Sequence, residues 1–290
     1  MPEIYPIQKY IDALKETGPF VSVAGRDSQD PFVSATSGEN TGLVTGITYN
    51  SREAAAGTLF VCKGAHFREK YLADAISQGT VCYVSEKDYS SVSGDCTGII
   101  VSDIRKAMPL ISELFYGRLS DKLHMIGITG TKGKSTTAYY MRYILDDYMA
   151  AEGRARTAIC SGIDNYDGVI EEESHLTTPE IMELYQHMNN AVSTGIEYMT
   201  MEVSSQALKY DRVDGITFEA GAFLNIGTDH ISAIEHPDFN DYLESKLRLF
   251  GHCRKACINL DCDEQEMIQK ASSDCPYVIS FSQHDPAAEV

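Results

Sequence analysis

Between an apolar run and a helix-like one the chain reads Gly127-Ile-Thr-Gly-Thr-Lys-Gly-Lys-Ser-Thr136. Glycines in such a loop let backbone N–H groups turn inward around phosphate oxygens, and the start of the following helix adds a favourable dipole. Lys134 is placed to reach the outer phosphates, and the hydroxyl of Ser135 to bind magnesium. The commonest phosphate-loop pattern wants a glycine where Ile128 stands, so that pattern is missed by one position. The shorter form GTxGK followed by Ser or Thr fits, from Gly130 to Ser135. A plain glycine-rich turn explains the glycines but not the strand before, the GKST and the helix after.

Other polar residues stand where strands end, and ligands of parallel sheets bind at those carboxyl ends. Glu202 closes the run TMEVSS, and Asn225, Asp229 and His230 follow another in FLNIGTDH. A carboxylate and an imidazole at neighbouring strand ends suit a cation that bridges nucleotide and substrate. Each residue alone reads as a solvated strand end; beside the loop they form a set.

The elements that position them fall into two stretches. A short helix is expected over residues 7–16, ended by Gly18-Pro19. From residue 20 to 103 short β-like runs alternate with turns (LVTGITYNSR, GTLFVCKG, TVCYVSE, TGIIVSD), with a helical stretch at 71–78. A helix at 104–116 leads into the second stretch. There the spacing predicts a strand at 122–129, a helix at 135–146 and a strand at 197–203. A strand pair at 216–226, a helix at 239–250 and a strand at 256–261 follow. The alternation argues an α/β fold: a small N-terminal α/β domain at 1–120, then a mostly parallel sheet with helices on both faces at 121–290. The last segment, SSDCPYVISFSQHDPAAEV, reads as stopping without a closing helix.

Composition narrows the classes. The chain has 290 residues, 43% hydrophobic and 23% charged, with a net charge of −18. These values suit a folded globular chain and argue against nucleic acid as a partner. No run is long and apolar enough to enter a membrane, and charges break up the N-terminus where a signal peptide needs its apolar stretch, so the chain reads as cytoplasmic. The eight cysteines then read as reduced thiols. Cys253, Cys257, Cys262 and Cys275, with His252 and His284 nearby, raise a zinc site, but their spacing matches no usual knuckle or ribbon. Structural thiols are expected.

GTKGKS, LTTPE, MEVSSQAL with Arg212, NIGTDH and YLESKLRLF, in this order, resemble the Mur ligases of cell-wall synthesis. The most similar type, MurE, acts on UDP-N-acetylmuramoyl-L-alanyl-D-glutamate and adds the third peptide residue. The segment GITYNSREAAAGTLFVCKG resembles that type's uridine-binding domain. The resemblance implies an ATP-dependent amide ligase working through an acyl phosphate, with ATP and magnesium as cofactors. Its substrates are a UDP-N-acetylmuramoyl peptide and an amino acid. It further implies an N-terminal UDP-binding domain, a central ATPase domain that is incomplete here, and a C-terminal amino-acid-binding domain absent from this chain.

By the same resemblance Ser51 and Arg52 lie near the uridine diphosphate, and Gly130, Thr131, Lys132, Gly133, Lys134, Ser135, Thr136 and Asn225 bind ATP. Thr177 and Thr178 with Pro179, and Ser204 and Arg212, contact the muramoyl peptide. Ser135, Glu202 and His230 hold magnesium, and Lys246 is carbamylated and helps to place it. Lys134, Lys246, Glu202 and His230 form the catalytic set. Gln206 replaces a histidine common in the family, Ser232 stands where an aspartate is common, and Lys132 where an asparagine is. Two alternatives remain: a related ligase of the folylpolyglutamate-synthetase kind, or a truncated nucleotide-binding module without ligase turnover.

Overall fold

A computed structural model describes residues 2–24, 42–64, 67–229, 231–232 and 235–290. The chain divides into two compact units, Met1–Gly117 and Arg118–Val290. In the first, β1 (Tyr5–Pro6) leads into α1 (Ile7–Thr17), which buries Ile7, Tyr10, Ile11 and Leu14 on one face and ends at Gly18 with φ 98°. Then come β2 (Phe20–Ala24), β3 (Leu43–Val44), β4 (Gly46–Thr48), β5 (Thr58–Val61), α2 (Glu69–Ser77), β6 (Cys82–Ser85), α3 (Ser90–Ser93), β7 (Thr97–Val101) and α4 (Ile104–Tyr116). A five-stranded sheet runs in the order β2-β7-β6-β5-β4, parallel except for β2 against β7. Every residue of β5 and β6 is buried, as expected of parallel strands covered on both faces. Phe60, Leu72 and Tyr83 anchor this core; each such side chain contributes roughly 1.5–3 kcal/mol by leaving water.

The second unit contains β8 (His124–Thr129), α5 (Lys134–Ala151), β9 (Ala158–Cys160), β10 (Asp164–Tyr166), β11 (Glu171–Glu173), α6 (Ile181–Ser193), β12 (Tyr198–Glu202) and α7 (Ser205–Lys209). It continues through β13 (Ala220–Phe223), α8 (Phe239–Leu247), β14 (Lys255–Asn259), α9 (Gln265–Ser272) and β15 (Tyr277–Phe281). Its eight-stranded sheet has the order β11-β10-β9-β12-β8-β13-β14-β15. Strands β9, β12, β8, β13, β14 and β15 are parallel, and β10 alone runs the other way, pairing antiparallel with both β9 and β11. The chain leaves β8 toward β9 on one side and leaves β13 toward β14 on the other. The crevice beyond the carboxyl ends of β8 and β13 is therefore the switch point where doubly wound sheets bind ligands.

Several elements differ from expectation. The run at 216–226 forms one strand, β13, and Phe218 ahead of it extends the β13–β14 pairing through a single parallel bridge to Cys253 rather than pairing back on its neighbour. Helix α5 extends to Ala151, past the expected end at 146. The helix at 239–250 is α-helical only to Leu247 and finishes as a 3-10 turn over Arg248–His252. The last segment behaves as read: α9 ends at Ser272 where it begins, β15 lies within it, and no helix follows β15 among the described residues. Cys257 lies on β14, and the Cys253 thiol donates to the Leu249 carbonyl at 3.0 Å. Among the described residues, no helix is long and apolar enough to cross a membrane.

Candidate active site

Strand β8 delivers the chain at Thr129 into the glycine loop. Gly130 has φ 156°, and a Cβ there would lie 3.1 Å from Leu224 Cβ on the neighbouring strand end. Gly133, at φ 84°, occupies the N-cap position of α5 in the left-handed region that glycine adopts without cost. The helical ladder begins with the Thr137 N–H bonded to the Gly133 carbonyl at 2.9 Å. The N–H groups of Lys134, Ser135 and Thr136 thus point out of the first turn, a ready anion cradle.

The loop is held from β13. Asn225 Oδ1 accepts the N–H groups of both Thr131 and Lys132 at 3.0 Å, and its Nδ2 donates to the Lys132 carbonyl at 3.0 Å. The Thr131 hydroxyl accepts the Gly227 N–H at 3.0 Å and lies 3.1 Å from the Tyr242 hydroxyl. Lys132 is exposed and pairs with Asp229 at 2.7 Å. Thr131 and Asn225 therefore shape the loop, while the N–H groups at the start of α5 face its opening.

Two lysines converge behind it. Lys134 Nζ donates to the carbonyls of Gly130 at 3.0 Å and Thr131 at 3.3 Å, and Lys246 Nζ, from α8, donates to the same Gly130 carbonyl at 3.0 Å. Lys246 is 1% exposed and its ammonium also lies 4.7 Å over the Tyr242 ring. Burial first, and then the Lys134 charge, push its pKa down to about 7, against a weaker opposite pull from Asp229. Burial likewise lowers Lys134, with Glu202 and Asp229 opposing and Lys132 adding to the fall.

Glu202 ends β12 and is buried, its Oε1 accepting the Gly162 N–H at 2.8 Å. Among the described residues no cluster of three or more His, Cys, Asp or Glu side chains stands ready for a metal. The Glu202 carboxylate and the Ser135 hydroxyl are sparse oxygen donors. They suit a hard cation that arrives with phosphates and keeps several waters, as magnesium does. His230 lies outside the described residues.

On the substrate side, Thr177 is half-buried beside Gly162: a Cβ on that glycine would lie 3.5 Å from Thr177 Oγ1. Thr178 is fully buried, its hydroxyl donating to the Glu202 carbonyl at 2.9 Å and accepting the Ser204 N–H at 3.0 Å. The Ser204 hydroxyl caps α7 through the Ala207 N–H at 3.1 Å. Arg212 pairs with Glu180 at 2.9 Å and donates to the Thr178 carbonyl at 3.4 Å. These four side chains brace the wall next to Glu202, with Thr177 the one nearest Gly162. Ser232 caps its own turn, the hydroxyl accepting the Glu235 N–H at 3.1 Å.

Ser51 and Arg52 sit in the first unit, on the turn after β4. Glu53 braces that turn by accepting from Thr48 at 2.9 Å and Asn50 at 2.8 Å, and Arg52 is exposed. Within the second unit the sequence reading missed Tyr242, which touches both Thr131 and Lys246. It also missed His236, which is 0% exposed with Nδ1 2.5 Å from Asp241 and Nε2 2.9 Å from the Ser205 hydroxyl. Lys209 shares that Asp241 carboxylate at 2.6 Å. The set pins α7 to α8, the helix that carries Lys246. The Glu-His-Pro turn ahead of α8 was the only local signal for it.

Residues 128–290 match the Mur ligase middle domain. The chain is 43% identical over 250 residues to the UDP-N-acetylmuramoyl-L-alanyl-D-glutamate--L-lysine ligase of Enterococcus faecalis, covering 85% of this chain and 48% of that protein. It is 38% identical over 283 residues to the ligase of the same name from Streptococcus pneumoniae, covering 98% of this chain and 56% of that one. A solved UDP-N-acetylmuramoyl-L-alanyl-D-glutamate--2,6-diaminopimelate ligase has the same fold, with a TM-score of 0.68 at 22% identity over 84% of this chain and 50% of its own. The chain spans about half the length of the curated relatives it matches.

Proposed function

Because the chain belongs to the Mur ligase family, we propose that it carries the uridine-nucleotide and ATP sites of an enzyme joining an amino acid to UDP-N-acetylmuramoyl-L-alanyl-D-glutamate. The observation that carries this reading is the convergence of Lys134, Lys246 and the α5 N–H cradle on one side of the β8–β13 crevice. Glu202 stands at the end of the adjacent strand. In this reading the cradle, with Gly130 and Gly133, holds the phosphates of ATP, and Lys134 swings from its carbonyl partners onto the outer ones. A carboxylate of the muramoyl peptide, oriented by the wall that Thr177, Thr178, Ser204 and Arg212 build, attacks the γ-phosphorus; its bond to the bridging oxygen breaks, ADP leaves, and an acyl phosphate results. The amino group of the incoming amino acid then displaces phosphate. Positioning and charge neutralisation supply the rate, so no protein nucleophile is needed.

Ser135 and Glu202, with His230, are the residues that would hold magnesium, which supplies charge neutralisation at the phosphates when bound. Lys246, with a pKa near 7, presents a neutral amine that adds carbon dioxide: the N–C bond forms and a proton leaves. The resulting carbamate is an oxygen donor where an ammonium would repel a cation. Ser51 and Arg52 serve the uridine diphosphate. ATP and UDP-linked substrates make the cytoplasm the working compartment. The test is binding by calorimetry and turnover by phosphate release, with UDP-muramoyl dipeptide, ATP and an amino acid, beginning with the L-lysine named for two relatives. Folate substrates run beside them. Binding of the muramoyl dipeptide and ATP supports the assignment; binding of folates instead, or of neither, overturns it.

A further inference from the structure

The β9–β10 turn is more heavily tied than a surface turn requires. The Ser161 hydroxyl accepts the N–H groups of Ile163 and Asp164 at 3.1 Å and donates to the Asp164 carbonyl at 2.9 Å. Asp164 Oδ1 accepts the Tyr139 hydroxyl at 2.5 Å. Tyr139 lies on α5 a few residues after Lys134 and Ser135. Between Ser161 and Asp164 sits Gly162, whose N–H holds Glu202 Oε1 at 2.8 Å. The contacts run from the helix of the phosphate loop to the Glu202 carboxylate by a route separate from the sheet. Burial, with the bond to Asp164 next, pushes the Tyr139 phenol up to about 12, so it remains a donor across the working range.

We infer that Tyr139 and Asp164 are positioning residues that, through the turn at 161–164, fix the Glu202 carboxylate relative to Ser135 and so set the cation affinity of the nucleotide-loaded site. The inference rests on the nucleotide and magnesium reading above. One Glu202 oxygen is directed by Gly162, and the aim of the carboxylate follows the turn. Outer contacts of this kind orient metal ligands, and losing one directly costs about 10–100-fold in affinity. Acting through a turn, the loss is smaller.

The test uses the 290-residue chain, a non-hydrolysable ATP analogue and manganese as a paramagnetic probe. Manganese affinity of the nucleotide-loaded protein is read by electron paramagnetic resonance, and nucleotide affinity by calorimetry with and without metal. Tyr139→Phe, which removes one oxygen, and Asp164→Ala should each weaken manganese binding about three- to tenfold. Metal-free nucleotide affinity should stay within about twofold, since the phosphate loop is untouched. Asp164→Asn, which keeps an acceptor for the phenol, should restore most of the loss. Unchanged manganese affinity in both variants overturns the inference, as does an equal fall in metal-free and metal-dependent affinity, which marks a merely structural role. If the wild-type chain itself shows no metal-dependent nucleotide binding, the nucleotide reading falls and takes the inference with it.

Discussion

Replacing Lys246 by methionine should make the protein more stable near neutral pH. The ammonium is 1% exposed, has a backbone carbonyl for its hydrogen-bond partner and faces a second ammonium at Lys134. A fall from the usual 10.5 to about 7 corresponds to roughly 5 kcal/mol set against the charged form in the folded chain. Lys246→Met removes that penalty at nearly constant volume and forfeits one charge-assisted hydrogen bond of about 1.5–3 kcal/mol. The Gly130 carbonyl keeps its Lys134 partner at 3.0 Å, so no acceptor is orphaned. The expected gain is roughly 2–3.5 kcal/mol, within the range seen when buried charges give way to apolar side chains. The pH dependence has a definite sign. Between about 7 and 10.5 the unfolded chain holds a proton that the folded chain lacks, so wild-type stability rises with pH across this window and is flat outside it. The methionine variant lacks that rise, and the two curves converge toward pH 10.5. Urea unfolding of both proteins in buffers free of carbon dioxide, which would otherwise carbamylate the amine, gives the comparison. A variant less stable than wild type at pH 6.5, or a wild type with no rise above neutrality, would refute the reasoning.

Three more perturbations probe separate parts of the second unit. Lys134→Ala should weaken ATP binding by about a hundredfold, the worth of one or two charge-assisted phosphate contacts, while the unfolding midpoint stays near wild type; calorimetry reads the affinity. Asn225→Ala removes three hydrogen bonds that hold the loop. It should cost about 2–3 kcal/mol in urea unfolding and should expose the Thr131 and Lys132 amides to faster hydrogen exchange. Asp167 is fully buried; burial alone would raise its pKa, but hydrogen bonds from His187, Ile170, Asn190 and Val169 outweigh it and hold it below the usual 3.8. Its contribution is present above that value and is lost as pH falls through the folded pKa. Asp167→Ala should therefore cost about 3–5 kcal/mol at pH 7 and flatten the acid limb of the unfolding curve.

The glycine loop between β8 and α5 was legible in the sequence because its geometry is local. Glycines, a lysine and a hydroxyl in ten consecutive residues dictate a turn that exposes N–H groups, whatever packs around them. Most strands of the five-stranded sheet and the four central ones of the eight-stranded sheet (β12, β8, β13 and β14) were legible for a similar reason: buried parallel strands are continuous apolar runs such as TLFV and CYVS. The outer strands β9, β10, β11 and β15 were not. Glu171–Glu173 has no strand-forming residue; it pairs because β10 offers an open edge, where exposed charges also guard against further pairing. The roles of particular side chains depended on tertiary structure still more. Thr178 and Ser204 look like exposed ligand contacts in a TTPE and an SSQAL run, yet both spend their hydroxyls on the wall behind Glu202.

What the sequence determined by itself was the list of groups able to handle phosphate and the alternation of elements that carries them. Only the tertiary structure decided that Lys246 reaches the Gly130 carbonyl 116 positions away, that Asn225 braces a loop 93 or 94 positions before it, and that Gly162 directs a carboxylate 40 positions on. Those contacts follow from strand order and register. Neither is encoded in any one segment, because the energy that selects them comes from burying all the segments together.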